Sequence, residues 1–266
     1  MKMPKMPNMP DMGAFFNAGQ DKENPRIIAG NIKGGRYQSV TITGAGNVDG
    51  DVDVERLEVT GAGRIAGNVK ADEVQVSGSA EISGGVEAKR FVAAGSAKVA
   101  RRLKAEEVRL SGAVSVGEDV DADDFASRGA FDISGRLRAE TIDIELNGEC
   151  FAQAIRGGDV SVKQGRGSSS YTTAGVAVAS VARGGVAIAG HAQGGSVGVS
   201  ISSGGTPGTL ETESIEGTSV ELEATKAKTV TGKDVKIGAD CEIETVRYAK
   251  SIEVHSSAKV KTQVKV

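Results

Sequence analysis

Residues 57–73 read LEVTGAGRIAGNVKADE, and the next seventeen, 74–90, read VQVSGSAEISGGVEAKR. Both carry apolar residues at the first, third, ninth and thirteenth places and glycine at the fifth. The template restarts at Val40, Leu57, Val74, Phe91, Val108, Phe125 and Ile142, six consecutive steps of seventeen with no insertion. A fixed period of this length marks a repeat architecture, in which each unit buries its apolar face only against its neighbours.

Within each unit the apolar places come in pairs two apart, at 1 and 3, 7 and 9, and 13 and 15. That is the period of a strand, not of a helix. The spacing predicts three short strands per unit, and a unit that closes on itself as a three-sided coil. Stacked coils set each strand beside its counterpart one repeat away, which gives an all-β, single-stranded parallel β-helix, a triangular β-solenoid of about 17 residues per coil. The inward columns are Val40, Leu57, Val74, Phe91, Val108, Phe125 and Ile142 at place 1, with Ile65, Ile82, Val99, Val116 and Ile133 at place 9. Continuing the count puts Cys150 at place 9 and Ala154 at place 13.

Gly44, Gly61, Gly78, Gly95, Gly112 and Gly129 hold place 5, where a sharp corner is expected to call on positive φ. Ala71, Ala88, Ala105, Ala122 and Ala139 hold place 15, as a narrow corner of the core would require. The chain is 39% hydrophobic but only 3% aromatic, so the core is built in thin layers of aliphatic side chains. Between Pro25 and Pro207 there is no proline, which suits a backbone whose N–H groups join sheet ladders throughout. Cys150 and Cys241 are read as small buried hydrophobes and not as a disulfide or metal pair.

The outward places carry a second pattern. Place 14 reads Asp53, Lys70, Glu87, Lys104, Asp121, Arg138, a strict alternation of sign through six coils. Like charges stacked about 4.8 Å apart would repel, so the column is expected to act as a charge ladder that fixes register. Place 17 begins the same way with Arg56, Glu73, Arg90 and Glu107, and place 12 contributes Arg102, Asp119 and Arg136.

The pattern is interrupted once. Residues 27–162 form the main stack, residues 163–209 a Gly/Ser/Ala-rich insertion read as flexible, and residues 210–266 further β-helix coils. No Asp or Glu occurs from 160 through 210. Val235 and Ile252 are again seventeen apart, with facing charges opposite in sign: Lys236 and Glu253, Glu242 and Lys259, Glu244 and Lys261. Residues 1–26 are a Met/Pro-rich tail with proline at every third position, read as extended, flexible chain.

The repeated V-x-V-x-G-x-x-x-I-x-G-x-V-x-A blocks and the stretch TSVELEATKAKTVTGKDVKIGADCEIETVRY (218–248) resemble the bactofilins, polymer-forming cytoskeletal proteins of bacteria. The resemblance covers residues 27–162 and 210–266, and departs from the family in the acid-free insertion and the Met-Pro leader. It implies a right-handed triangular β-helix that polymerises end to end without a nucleotide, attaches to the inner face of the membrane and serves as a scaffold. The period by itself does not fix the hand.

A solenoid also has two open ends, and unpaired strand edges recruit another copy unless capped. No amphipathic capping segment is evident, and the last residues, SSAKVKTQVKV, alternate like another strand. Ile252, Val254 and Val260 are therefore candidates for the polymer end, and self is the first expected partner. In the leader, Phe15 and Phe16 are candidates for membrane contact, with Lys2 and Lys5 meeting anionic headgroups. Client proteins are expected but not identified. A net charge of -3 gives no basic excess for nucleic acid. The absence of a long apolar run or a hydrophobic signal core points to a cytoplasmic location, peripheral at the inner face of the membrane.

Enzymatic readings find less support. The clusters GAGNVDG and GAGRIAG resemble a phosphate loop, yet they recur by period and precede strands, not a helix. No catalytic, metal or cofactor residues are nominated. A polysaccharide-acting β-helix enzyme calls for clustered carboxylates beside aromatic platforms, whereas this chain has no Trp and three Tyr. A hexapeptide-type acyltransferase calls for a six-residue period and a placed histidine. These enzymes, and a monomeric β-solenoid interaction module, are the alternatives to a filament-forming scaffold.

Overall fold

The computed structural model describes residues 24–165, 172–173, 199–200 and 208–266. Parallel strands stack into a β-solenoid of about 11 turns with roughly 17 residues per turn, and the described residues contain no helix. Leu57, Val74, Phe91, Val108, Phe125, Ile142, Val160, Val220, Val235 and Ile252 are Cα partners in unbroken succession down one side. A second column runs from Val48 through Ile65, Ile82, Val99, Val116 and Ile133. All of these except Ile252 are buried, together with Val40.

A coil has three inward-facing sides, but between Ala62 and Leu110 two hydrogen-bonded runs per coil serve them, and Ala130–Leu146 runs unbroken through a whole coil. Ala62–Ile65 is a four-residue strand, whereas Val69–Val76 runs eight residues through a corner and serves two sides. Its buried residues are Val69 and Ala71, then Val74 and Val76. The step of three between Ala71 and Val74 breaks the two-residue alternation, so the backbone turns while its ladder continues.

The glycine column owes its composition to close approach, which corrects the expectation of positive φ. Among the described residues the glycines with positive φ are Gly30, Gly35 and Gly50, none of them at place 5. A Cβ on Gly61, Gly78, Gly95, Gly112 or Gly129 would instead lie 2.2, 2.1, 2.0, 1.9 or 2.0 Å from the carbonyl oxygen of the glycine one coil below. Backbone rests directly on backbone at this corner.

The period is not strict beyond Ile142. Cys150 pairs with Phe131, and Ala152 is the partner of Ile133. Cys150 thus takes place 7 and Ala152 place 9, while Ile155 faces Leu137 in place of Ala154. The corner from Ile144 to Cys150 holds two more residues than that from Ser127 to Phe131, and a register shift between Ile133 and Arg136 recovers one. Both cysteines are nevertheless core residues, at 2% and 0% exposure.

The two parts of the chain on either side of the insertion form one sheet. Cys150 pairs with Leu210 and Val160 with Val220, so the excursion begins and ends within a single coil. It leaves and returns at one corner, since a Cβ on Gly165 would meet Asn147 and one on Gly208 would meet Gly148. Most of the segment 163–209 read as flexible lies outside the described residues, which include a short antiparallel pairing of Thr172–Thr173 with Val199–Ser200. The coil after it is short, Val220 to Val235 spanning fifteen residues, and Ala224 (φ 45°) tightens its corner.

Candidate assembly surfaces

The last described coil, built by β-strands Glu242–Val254 and Lys259–Lys265, has no described coil stacked on its outer side. Ile252 continues the column of Val235, Val254 that of Ile237 and Val260 that of Ile243, so all three polymer-end candidates fall in the last coil and in register. Ile237 is 1% exposed, while Val254, its counterpart one coil on, is 38% exposed. Among the described residues no strand pairs with Val254 on its outer side. Ile252, Ala258 and Val260 are partly buried against the core, and Gln263 continues the column of Val246 with a polar side chain. At the other end Ile27 is buried, Ile28 is 52% exposed, and Ile32 and Tyr37 pack partly against the core. Phe15 and Phe16 lie outside the described residues.

The place-14 column is in register: Asp53, Lys70, Glu87, Lys104, Asp121 and Arg138 are successive Cα partners. Ion pairs form at its two extremities. Arg36 meets Asp53 at 2.9 Å and Arg138 meets Asp121 at 3.2 Å, while Lys70, Glu87 and Lys104 make no salt bridge within 4 Å among the described residues. Elsewhere, Arg56 pairs with Glu73 at 2.6 Å and Arg90 with Glu107 at 2.7 Å at place 17, and Arg64 with Glu81 at 2.7 Å on the neighbouring face.

Side chains also brace the corner before place 13. Asp51 accepts the backbone N–H of Asn68 one coil above at 2.7 Å, and Asn68 in turn accepts that of Gly85 at 2.9 Å. Asp119 accepts the N–H of Arg136 at 2.8 Å and lies 3.3 to 3.8 Å from the guanidinium groups of Arg102, Arg136 and Arg138. The Arg136 backbone hydrogen bond, against some opposing burial, holds the Asp119 carboxyl below its ordinary range. At Glu107 burial pushes upward, but hydrogen bonds from Arg109 and Arg90 outweigh it and the carboxyl is lowered.

The C-terminal coils carry a denser pattern that the seventeen-residue count obscures. Lys228 meets Glu213 at 2.8 Å, Lys259 meets Glu242 at 2.8 Å, Lys261 meets Glu244 at 2.9 Å and Lys226 meets Glu211 at 3.8 Å. The first and last of these pairs span fifteen residues because of the short coil, so only a search at several spacings would have found them. Lys236 turns to Glu221 at 2.8 Å and not to its register partner Glu253. The four pairs formed by Glu211, Glu213, Glu242 and Glu244 with their lysines line an open groove of about 460 Å³.

Among the described residues no three or more His, Cys, Asp and Glu side chains come together as a metal site. Burial pushes the Cys150 thiol up to about 12 and raises that of Cys241 as well, so neither is a ready nucleophile. No helix among them is long and apolar enough to cross a membrane.

Comparison with known proteins places these surfaces in context. Residues 19–100 match the family model described as Bactofilin, polymer-forming cytoskeletal. The chain is also similar to the uncharacterized protein YhbE of Bacillus subtilis (strain 168), at 51% identity over 57 residues. That match covers 21% of this chain and 24% of the relative, so the chain spans about a quarter of the relative's length. No solved structure matches.

Proposed function

We propose, from the premise that residues 19–100 carry a bactofilin domain, that this chain is a non-enzymatic scaffold that assembles end to end into filaments without a nucleotide. The observation that carries the reading is the last coil. Its strands continue the register of the stack, while Val254 stands 38% exposed in a column whose preceding member, Ile237, is 1% exposed. A second copy supplying the next coil would bury Ile252, Val254 and Val260 and pair the free strand edges in one step. Joints between unlike ends propagate as a polar filament, and joints between like ends propagate as a non-polar one when both ends of the stack are paired.

In the same reading the filament is cytoplasmic and peripheral at the inner face of the membrane. Phe15 and Phe16 insert at the interface, and repetition of a weak contact along the polymer supplies avidity. Outward faces then position client proteins.

Negative-stain microscopy of the purified protein in low salt, without ATP or GTP and with or without anionic liposomes, tests both parts. Thin filaments are expected, decorating liposomes only when residues 1–20 are present. A strictly monomeric protein at micromolar concentration overturns the filament reading, and liposome binding unchanged by the deletion overturns the role of the leader.

A further inference from the structure

One face of the solenoid changes character in its last four coils. Its outward positions in earlier coils hold at most one charge per coil: Asn47 with Asp49, Arg64 with Ala66, Lys98 with Ala100, Asp132 with Ser134. From Leu210 onward each coil carries two like charges flanking a central inward-column residue, Thr212, Ala227, Ile243 or Val260. The rows are Glu211 and Glu213, Lys226 and Lys228, Glu242 and Glu244, Lys259 and Lys261, stacked in register in that order. All eight side chains are exposed, the lysines at 53–77% and the glutamates at 51–62%.

We infer that this face is a self-complementary docking surface for a second copy of the chain, lying alongside and running antiparallel. The rows alternate acid, base, acid, base. Read from the other end they run base, acid, base, acid. A two-fold axis parallel to the strands therefore sets the Glu211/Glu213 row against the Lys259/Lys261 row of the second copy, and the Lys226/Lys228 row against its Glu242/Glu244 row. Parallel solenoids in register would set every row against its own kind, which like-charge repulsion forbids. The ion pairs within one chain do not exhaust these groups, because an ammonium has three donors and a carboxylate about four acceptor positions. Each Lys–Glu pair inside a coil stack can thus share its charges with the pair opposite.

The patch is four strands tall, on the order of 15 to 20 Å at about 4.8 Å per coil, smaller than the roughly 800 Å² per partner of a stable dimer. One pairing is weak but forms between two separate copies, and aligned copies would add such pairings together. Nothing in it requires the end joint, so the two assembly modes fail separately.

Disulfide trapping tests the antiparallel arrangement on the full chain, whether or not filaments form. Variants with one added cysteine, Glu213→Cys and Lys261→Cys, are mixed in equal amounts under mild oxidation; Cys150 and Cys241 are buried and do not compete. The mixed disulfide is expected to exceed either homodisulfide several-fold, and the excess to vanish well above about 0.15 M salt, where the Debye length falls below ~8 Å. In a second arm all seven remaining charges of the face are inverted in each cysteine variant, in one partner alone and then in both. Inversion preserves every remaining ion pair within the chain. The excess should disappear when one partner is inverted and return when both are. Equal yields of the three disulfides in the first arm, or an excess indifferent to one-sided inversion, overturns the inference.

Discussion

Single residues in this molecule are constrained mostly by the coil below. Gly112 is glycine because a Cβ there would stand 1.9 Å from the carbonyl oxygen of Gly95, a backbone atom that cannot step aside. Gly112→Ala should therefore destabilise by about 1–3 kcal/mol or more, as overpacking does. Gly85→Ala, whose Cβ would lie 3.1 Å from the Arg102 carbonyl, should cost visibly less when both are unfolded in urea. Charged residues are constrained less. Lys70 sits in register between Asp53 and Glu87 but touches neither, whereas Arg138 contacts both Asp119 and Asp121. Lys70→Gln is expected to stay within about 0.5 kcal/mol of wild type, the range of ordinary surface changes, and Arg138→Gln to lower the melting temperature further. A larger effect at Lys70 would support the mid-column ladder as a register device.

At the scale of the coil, carboxylates collect hydrogen bonds both at a corner, where Asp119 accepts a backbone N–H, and along the strand faces, where they meet Lys and Arg side chains. Asp119, Glu107, Glu221, Glu242 and Glu244 are all held below their ordinary range, through hydrogen bonds from Arg136, from Arg109 and Arg90, and from Lys236, Lys259 and Lys261 respectively. A carboxyl whose folded value is depressed binds fewer protons folded than unfolded. Its stabilisation is present above the unfolded value and is lost as pH falls through the folded one. The melting temperature should therefore be flat near neutrality and decline below roughly pH 4.5, the ordinary carboxylate range. Thermal scans of Asp119→Asn against pH should show a lower plateau and a shallower acid limb; an acid limb as steep as wild type would remove Asp119 from this account.

For the whole molecule, the stack has a cooperative interior and an exposed last layer, and assembly is argued to proceed by completing that layer. Val254→Glu places a charge where Ile237 has an aliphatic side chain one coil earlier, so sedimentation should show filaments shortened or abolished with the monomer's circular dichroism unchanged. Filaments of normal length would exclude this end from the joint. The sequence by itself determined the solenoid, its three-sided coil and its inward columns as far as Ile142, because a strand period repeated at a fixed spacing has one economical way to bury every apolar place. It also located Ile252, Val254 and Val260 in the last coil through the return of that spacing. Only the tertiary structure decided why place 5 is glycine, since the clash is with a carbonyl seventeen residues away and leaves no local conformational signature. It alone showed that Cys150 sits at place 7, and that a coil of fifteen residues brings Lys226 and Lys228 onto Glu211 and Glu213. Corners absorb insertions and deletions while the strands stay in register, because hydrogen bonds and buried side chains fix the sides of the triangle and solvent leaves the corners free to vary in length.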